Sequence, residues 1–230
     1  NIKYDLSIPE EIIRSAKTQR QHIAQQRPVW IAASTHPGEE EQILKVFRRL
    51  LVRWPDLLLL LVPRHPERFQ AVGDLCREAG FIVSKRSEQQ TCDAKTQIYL
   101  GDTMGELLAL YAIADVAFVG GSLIPHGGQN MLEPAALAKP VLFGQHTGNF
   151  IDISEQLIDG GGARRVSDAD ALYIALEQLF TDAELRAQMG RSAAEAIQRN
   201  RGALKALFVL LSPVLINAAA ARSAPAASHP

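Results

Sequence analysis

A glycine-rich loop, GGSLIPHGGQNMLEP (120–134), contains the residues of this sequence that are best suited to hold an anion. Glycines let backbone N–H groups approach a ligand closely, and the N-terminus of a helix carries partial positive charge. Gly127, Gly128, Gln129 and Asn130 stand just ahead of a predicted helix and could therefore hold a phosphate group. Glu133 follows one turn later, where its carboxylate could accept hydrogen bonds from the two hydroxyls of a ribose.

The same spacing also fits a purely structural role. Asn130 and Glu133 have the separation of a helix capping box, in which two side chains satisfy backbone N–H groups without any ligand. The sequence has neither a GxGxxG dinucleotide motif nor a Walker phosphate loop. Both interpretations of the loop therefore stay open at this point.

A second candidate for anion binding is the segment VPRHPERF (62–69), which follows a predicted buried strand. An arginine at a strand end can pair with a phosphate through two parallel hydrogen bonds. Pro66 is suited to the first position of a helix, so the segment can also be interpreted as a solvated turn followed by a helix start. We favour Arg64 as a ligand-binding residue and interpret Arg68 as a solvated side chain.

The segment STHPGEEE (34–41) is a weaker candidate. Ser34 and His36 come directly after a predicted strand and could touch a ligand. The glutamates at 39–41 fall in the first turn of the next helix, where they complement the helix dipole and would repel a phosphate.

Two further loops offer mainly capping residues. Thr103 and Glu106 have capping-box spacing, and Met104 between them could support a nucleobase. Asn149 is a candidate N-cap, and His146 beside it is most simply a solvated loop histidine. The sequence shows no Ser/His/Asp set, zinc-ligand spacing or paired acids, so it indicates binding groups more clearly than reacting groups.

Short apolar runs alternate with longer amphipathic segments along the chain. Helical spacing is found at 39–54, 66–79, 104–114, 168–181 and 183–211. Strands are predicted at 28–34, 56–62, 80–84, 97–100, 115–120, 139–144 and 162–166. The alternation predicts an α/β fold, a Rossmann-like, mainly parallel sheet with helices on both faces. Ligands of such sheets bind beyond the carboxyl ends of the strands, where all the loops above lie.

The composition is that of an ordinary globular protein. The chain has 230 residues, 47% of them hydrophobic, and a formal net charge of −1, so nothing global indicates a nucleic-acid partner. Cys76 and Cys92 lack metal-ligand spacing and favour a reduced, cytosolic protein. No apolar run approaches the roughly 18 residues that span a bilayer, and no signal peptide is evident.

We expect three segments along the chain. Residues 1–27 are predicted to be an interdomain connector with one polar helix, and residues 28–215 to be the Rossmann-like ligand-binding domain. The Ala/Ser/Pro-rich segment 216–230 is predicted to be a disordered tail, a composition also typical of residues added by cloning. The apolar stretch at 203–215 could contact another domain.

Taken in order, STHPGEE, PRHPERF, GDTMGEL, ADVAFVGGSLIPHGGQNMLEPA and KPVLFGQHTGNF resemble the 3-deoxy-D-manno-octulosonic acid (Kdo) transferases of Gram-negative bacteria. The resemblance extends from about residue 1 to about residue 215 and covers the C-terminal half of such an enzyme. It implies a GT-B glycosyltransferase, with two Rossmann-like domains facing across a cleft and the C-terminal one binding the donor CMP-Kdo.

The resemblance also implies a reaction and a location. The full enzyme would transfer Kdo to the lipid A precursor lipid IVA, release CMP, and work at the cytoplasmic face of the inner membrane, while this fragment alone would be soluble and inactive. No metal or other cofactor is expected. The catalytic base is a glutamate of the N-terminal domain, so no catalytic residue is assigned in this chain.

Carried over to this sequence, the resemblance assigns donor contacts to specific positions. The segment 127–130 would bind the phosphate and Glu133 the ribose. The other donor contacts would be Ser34, Pro63, Arg64 and His65, with Gly101, Asp102 and Met104 near the base.

Two other functions stay open. The chain could belong to a GT-B transferase or epimerase that uses another nucleotide sugar, which base preference would reveal. It could also be a non-catalytic Rossmann-like module, which would bind no nucleotide.

Overall fold

Parallel strands form one twisted sheet at the centre of the molecule. The computed structural model describes residues 6–88 and 92–200. The sheet has seven strands in the order β3-β4-β2-β1-β5-β6-β7, and every neighbouring pair is parallel. The strands are β1 Val29–Thr35, β2 Leu58–Pro63, β3 Val83–Lys85, β4 Ile98–Leu100, β5 Val116–Val119, β6 Val141–Phe143 and β7 Ala163–Arg165.

Each predicted strand is present, with one clear shift in position. The sequence predicts the third strand at 80–84, whereas β3 begins only at Val83. The reason is that Phe81 packs into the core instead of pairing with the sheet. The amide N–H of Phe81 donates to the carbonyl of Cys76, so this segment still closes the preceding helix.

Helices follow the strands in the expected alternation. They are α1 Glu10–Ile23, α2 Glu40–Leu51, α3 Phe69–Glu78, α4 Leu107–Ile113, α5 Leu132–Ala136, α6 Ile151–Asp159, α7 Ala169–Thr181 and α8 Ala183–Arg199. Single 3-10 turns at Pro66–Arg68 and Gly148–Phe150 precede α3 and α6. Pro66 opens the first of these turns as predicted. The predicted helix at 183–211 is present up to Arg199, and the apolar stretch 203–215 lies outside the described residues.

Both faces of the sheet are covered, which explains the unbroken apolar runs in the sequence. Along β1, Trp30 points into the layer formed with α2 and α7, while Ile31 points into the layer formed with α1 and α4. Along β2, Leu59 and Leu60 alternate between the same two layers. All four side chains are fully buried. Strands buried on both faces are therefore composed mainly of apolar residues.

Helix α1 is anchored at the amino ends of β1 and β5, at the opposite end of the strands from the candidate loops. The guanidinium of Arg20 donates to the carbonyls of Ile113 and Arg27 and pairs with Asp115 at 3.0 Å. Asp115 also accepts the amide N–H of Val29, at the start of β1. The predicted helix in 1–27 is therefore present, whereas its role as an interdomain connector stays a prediction. The predicted tail at 216–230 lies outside the described residues.

The two cysteines are buried and unbonded. Burial raises the pKa of each thiol to about 12, for Cys76 and for Cys92 alike. Such thiols stay protonated at neutral pH and are poor nucleophiles.

Candidate functional site

The loops after β1, β2 and β5 meet because the strand order reverses between β1 and β5. From β1 the chain first adds strands on one side of the sheet and then crosses to β5 on the other side. At this switch point, beyond the carboxyl ends of the strands, lies a cavity of about 250 Å³. It is lined by Ser34, Val62, Pro63, Arg64, Thr103, Met104, Gly105, Leu107, Gln129, Asn130 and Glu133.

Seven of the residues predicted to bind a ligand share this cavity. They are Ser34, Pro63, Arg64, Met104, Gln129, Asn130 and Glu133. The sequence analysis missed Val62, Gly105 and Leu107 and treated Thr103 only as a cap. The signal for Thr103, Gly105 and Leu107 was their position in the loop or helix start that follows a strand, whereas Val62 lies at the carboxyl end of β2 itself.

Arg64 brings an unpaired positive charge to the wall of the cavity. Its backbone N–H donates to the carbonyl of Thr35 at 3.0 Å, which ties the β2 loop to the end of β1. Within residues 6–88 and 92–200, its exposed guanidinium makes no hydrogen bond or ion pair. Arg64 is therefore available to an anion in the cavity.

Arg68 has a different role from the solvated one that the sequence predicts. Its guanidinium pairs with both carboxylate oxygens of Glu40, at 2.7 and 3.1 Å, and Glu40 is fully buried. The hydroxyl of Thr35 donates to the same carboxylate at 2.8 Å. A charge buried with α2 requires such a partner, so Arg68 supports the structure of the loop.

Glu133 is half-buried in the cavity and is poised to accept hydrogen bonds. Burial raises the pKa of its carboxyl, although the hydrogen bond from Asn130 opposes this effect. The side-chain amide of Asn130 donates to Glu133 at 3.1 Å, and its oxygen accepts the N–H of Leu132 at 3.1 Å. Within residues 6–88 and 92–200, the protein uses only Oε1 of Glu133 as a hydrogen-bond acceptor, so Oε2 is available to a ligand.

The capping-box interpretation of this pair is wrong. Helix α5 is preceded by Met131, which caps it with no side-chain hydrogen bond. Asn130 and Glu133 bond to each other, and Asn130 accepts the N–H of Leu132 at the start of α5, so the reciprocal bonds of a capping box are not formed. Pro134 lies in the first turn of α5, where backbone N–H groups have no partner within the helix and proline is tolerated.

The glycines of the loop adopt the backbone conformation that only glycine adopts readily. Gly127 and Gly128 have φ of 97° and 78°. The N–H of Gly128 donates to the carbonyl of Gly121 at 2.7 Å, whereas in the described part of the chain the N–H groups of Gln129 and Asn130 have no acceptor. Gly127 and Gly128 do not line the 250 Å³ cavity. Gly127 lines a neighbouring, more open one with His146 and Arg165.

Glu39 holds the first part of the loop in place. Its fully buried carboxylate accepts four backbone N–H groups, from His36 at 3.0 Å, Gly121 at 2.6 Å, and Ser122 and Leu123 at 3.0 Å each. Successive amides that converge in this way form an anion-binding nest. Here the protein's own carboxylate fills the nest, so this glutamate does more than complement a helix dipole.

The remaining predicted contacts lie close to the cavity but do not line it. Gly101 is packed so tightly that a Cβ would lie 2.9 Å from Val62 and from Leu110. The carboxylate of Asp102 accepts the backbone N–H of Ser87 at 2.8 Å. His65 packs edge-on against another histidine ring. Ligand contacts by Gly101, Asp102, His65, Gly127 and Gly128 stay predictions.

Two capping predictions near the cavity are also wrong. The hydroxyl of Thr103 donates to the carboxylate of Glu106, and the guanidinium of Arg86 pairs with that carboxylate at 2.7 Å, so neither side chain caps α4. Asn149 lies inside the 3-10 turn, and its side-chain amide donates to the carbonyl of His126. These side chains therefore bond to groups other than the N–H groups of the helix ends.

Known proteins resemble this chain over nearly its whole length. A 3-deoxy-D-manno-octulosonic acid transferase from Haemophilus influenzae is 50% identical over 216 residues, which is 94% of this chain and 51% of the relative. A crystal structure of the C-terminal CMP-Kdo binding domain of WaaA from Acinetobacter baumannii matches with a TM-score of 0.78 at 36% identity. The match covers 83% of this chain and 100% of that domain. The chain belongs to the Kdo transferase family.

The fold of this Kdo transferase chain is also that of more distant enzymes. Sucrose-phosphate synthase from Thermosynechococcus elongatus matches with a TM-score of 0.61 at 19% identity, over 95% of this chain and 51% of that enzyme. The predicted fold, a Rossmann-like C-terminal half of a GT-B glycosyltransferase, is confirmed. The chain spans about half the length of the Haemophilus relative. No protein-family model matches it.

Two classes of feature are missing from residues 6–88 and 92–200 of the Kdo transferase chain. No group of three or more His, Cys, Asp or Glu side chains is placed to hold a metal ion. No helix in these ranges is both long enough and apolar enough to cross a bilayer.

Proposed function

We propose that this chain is the donor-binding domain of a Kdo transferase and binds CMP-Kdo in the cavity at the switch point. The observation that carries the proposal is the placement of Glu133, Arg64 and Asn130 around one cavity. A carboxylate, a free guanidinium and a side-chain amide on three sides suit a nucleoside phosphate. The full coverage of the Acinetobacter CMP-Kdo binding domain supports the choice of ligand.

Each part of the nucleotide has a suitable partner. The free carboxylate oxygen of Glu133 would accept hydrogen bonds from the ribose hydroxyls. The phosphate would accept hydrogen bonds from the unpaired N–H groups of Gln129 and Asn130 and from the guanidinium of Arg64. The base would lie against the side chain of Met104, which is 61% exposed at the mouth of the cavity.

The reaction of the whole enzyme extends this proposal. Kdo would be transferred to lipid IVA by direct displacement at the anomeric carbon, with CMP as the leaving group. A glutamate of the other GT-B domain would remove the proton of the acceptor hydroxyl, at the cytoplasmic face of the inner membrane. In this chain, Arg64 would stabilise the negative charge that develops on the departing phosphate, because donors placed in advance act most strongly where charge appears.

Calorimetric titration of this chain with CMP, UMP and AMP tests the proposal. We expect saturable binding of CMP that is tighter than that of UMP and AMP. Tighter binding of UMP or AMP would favour a GT-B enzyme for another nucleotide sugar, and no binding of any of the three would favour a non-catalytic module.

A substitution at Glu133 tests the assignment of the ribose. Glu133→Gln should weaken CMP binding about 10- to 100-fold, since charge-assisted hydrogen bonds contribute about 1.5–3 kcal/mol. The exposed Glu41→Gln has the same charge change at a distance from the cavity and should leave binding unchanged. Unaltered CMP binding by Glu133→Gln, with the fold intact by circular dichroism, would remove Glu133 from the site.

A further inference from the structure

Three histidine rings meet beside the cavity, one from the loop after each of β1, β2 and β5. The ring of His36 stacks on that of His126, with centroids 3.8 Å apart and planes at 36°. It meets the ring of His65 edge-on at 5.4 Å. His36 is only 3% exposed, while His126 and His65 reach the surface. We refer to His36, His65 and His126 as the histidine cluster.

The histidine cluster is connected to the cavity through Gln129. The side-chain nitrogen of Gln129 lies 3.0 Å from Nε2 of His36, and Gln129 also lines the cavity. On the other side, Arg64 lines the cavity and is the chain neighbour of His65. A ligand that fills the cavity and extends past these two side chains would therefore reach the histidine rings.

The acidic groups around the cluster are already engaged by other partners or lie at the surface. Glu39 is engaged by four backbone N–H groups, and Glu40 is paired with Arg68. Glu67 is mostly exposed, and its carboxylate lies 3.9 Å from Nδ1 of His65.

The neighbouring cations also disfavour protonation of His36. Burial first, and then the charges of His126, His65, Arg68 and Arg64 in that order, together lower the pKa of His36 to about 4. A bound anion would be stabilised at such a position and would in turn favour the protonated imidazole.

We propose that the histidine cluster, together with Arg64, forms a subsite for the carboxylate of the sugar acid carried by the donor. This inference rests on the proposed function. In an octulosonic acid nucleotide the anomeric carbon bears both the phosphate oxygen and the carboxylate, so the two anions are close neighbours. The protein groups lie in the same order as the parts of the donor. Glu133 would meet the ribose, Gln129 the phosphate, and the histidine cluster beside Gln129 the carboxylate.

The subsite would distinguish the sugar acid from neutral sugars. A neutral sugar at this position would leave the guanidinium of Arg64 and the imidazole N–H groups without a partner after their water has been displaced. Sites that contain polar groups for one substrate reject analogues that leave those groups unpaired. The histidine cluster would therefore determine the specificity for the transferred group, while Glu133 binds the ribose and Arg64 serves both the phosphate and the neighbouring carboxylate.

The test compares three ligands, cytidine, CMP and freshly prepared CMP-Kdo, by calorimetric titration of this chain. The variant is His126→Gln, because this side chain is exposed and its replacement leaves the core intact. His146→Gln, at an exposed histidine of the neighbouring loop, is the matched control. We expect His126→Gln to weaken CMP-Kdo binding about tenfold, since a charged hydrogen bond or ion pair is lost. Binding of cytidine and CMP should change less than about twofold, and the control should behave like the wild type.

Other results would overturn the assignment. An equal loss for CMP and CMP-Kdo would place the phosphate, and not the carboxylate, against the histidine cluster. Unchanged binding of all three ligands by His126→Gln and by His65→Gln would exclude the cluster from the site. Failure of the wild-type chain to bind CMP would instead refute the proposed function, and the subsite with it.

Discussion

Replacement of Glu39 by glutamine should destabilise the fold far more than the loss of one surface charge. The carboxylate of Glu39 accepts the N–H groups of His36 and Gly121 at one oxygen and those of Ser122 and Leu123 at the other. Glutamine keeps one acceptor oxygen and presents an NH₂ group to the remaining pair of N–H donors. The variant therefore loses at least two hydrogen bonds to a charged acceptor inside the protein.

The size of the effect follows from this count. A hydrogen bond to a charged group contributes about 1.5–3 kcal/mol, so two lost bonds lower the free energy of unfolding by about 3–6 kcal/mol. Domains of this kind have a total stability of about 5–15 kcal/mol. Glu39→Gln should therefore leave the chain marginally folded.

Urea unfolding followed by tryptophan fluorescence measures the change, because Trp30 is fully buried on the central strand β1. The control is Glu41→Gln, which makes the same charge change at an exposed side chain in the first turn of α2. It should cost less than about 0.5 kcal/mol. If Glu39→Gln lost less than about 1 kcal/mol, the carboxylate would not be what organises the loop.

Two further substitutions test packing and burial. Burial lowers the pKa of Lys139 to about 8, so the folded state binds this proton less tightly than the unfolded chain. Stability should then rise between about pH 8 and pH 10. Urea unfolding at several pH values should show that Lys139→Met lacks this rise in the free energy of unfolding. If the variant and the wild type had the same pH dependence, the assignment to Lys139 would be wrong. Gly190→Ala would place a Cβ 2.2 Å from a backbone carbonyl oxygen and should cost about 1–3 kcal/mol despite the helix preference of alanine. Gly148→Ala, where no atom lies within 4 Å, should be neutral in the same assay.

The sheet could be predicted from the sequence because its central strands are covered on both faces. The runs that form β2 and β5 are continuously apolar, which is the pattern of strands buried on both faces. Helix α4 was harder to place, since it begins at Leu107 and not at 104. Residues 103–105 line the cavity instead of forming the first turn of the helix, and helical spacing alone does not reveal this.

The position of the site could be predicted, but most of its internal contacts could not. Topology alone brings the loops after β1, β2 and β5 together, and the side chains of Arg64 and Glu133 follow from that. The role of Glu39 depends on N–H groups more than 80 residues away in the chain. The pair of Arg68 with Glu40 and the histidine cluster are also contacts between distant segments, and local spacing carries no signal for them.

The edges of the sheet bear on whether the domain can exist alone. A free edge strand offers unpaired backbone groups to a second molecule and is a common starting point for aggregation. The edge strands here, β3 and β7, have three residues each, and they carry Lys85 on one side and Arg164 and Arg165 on the other. Edges that are this short and carry charged side chains offer few backbone groups to a second copy, so two copies of this domain gain little from pairing edge to edge.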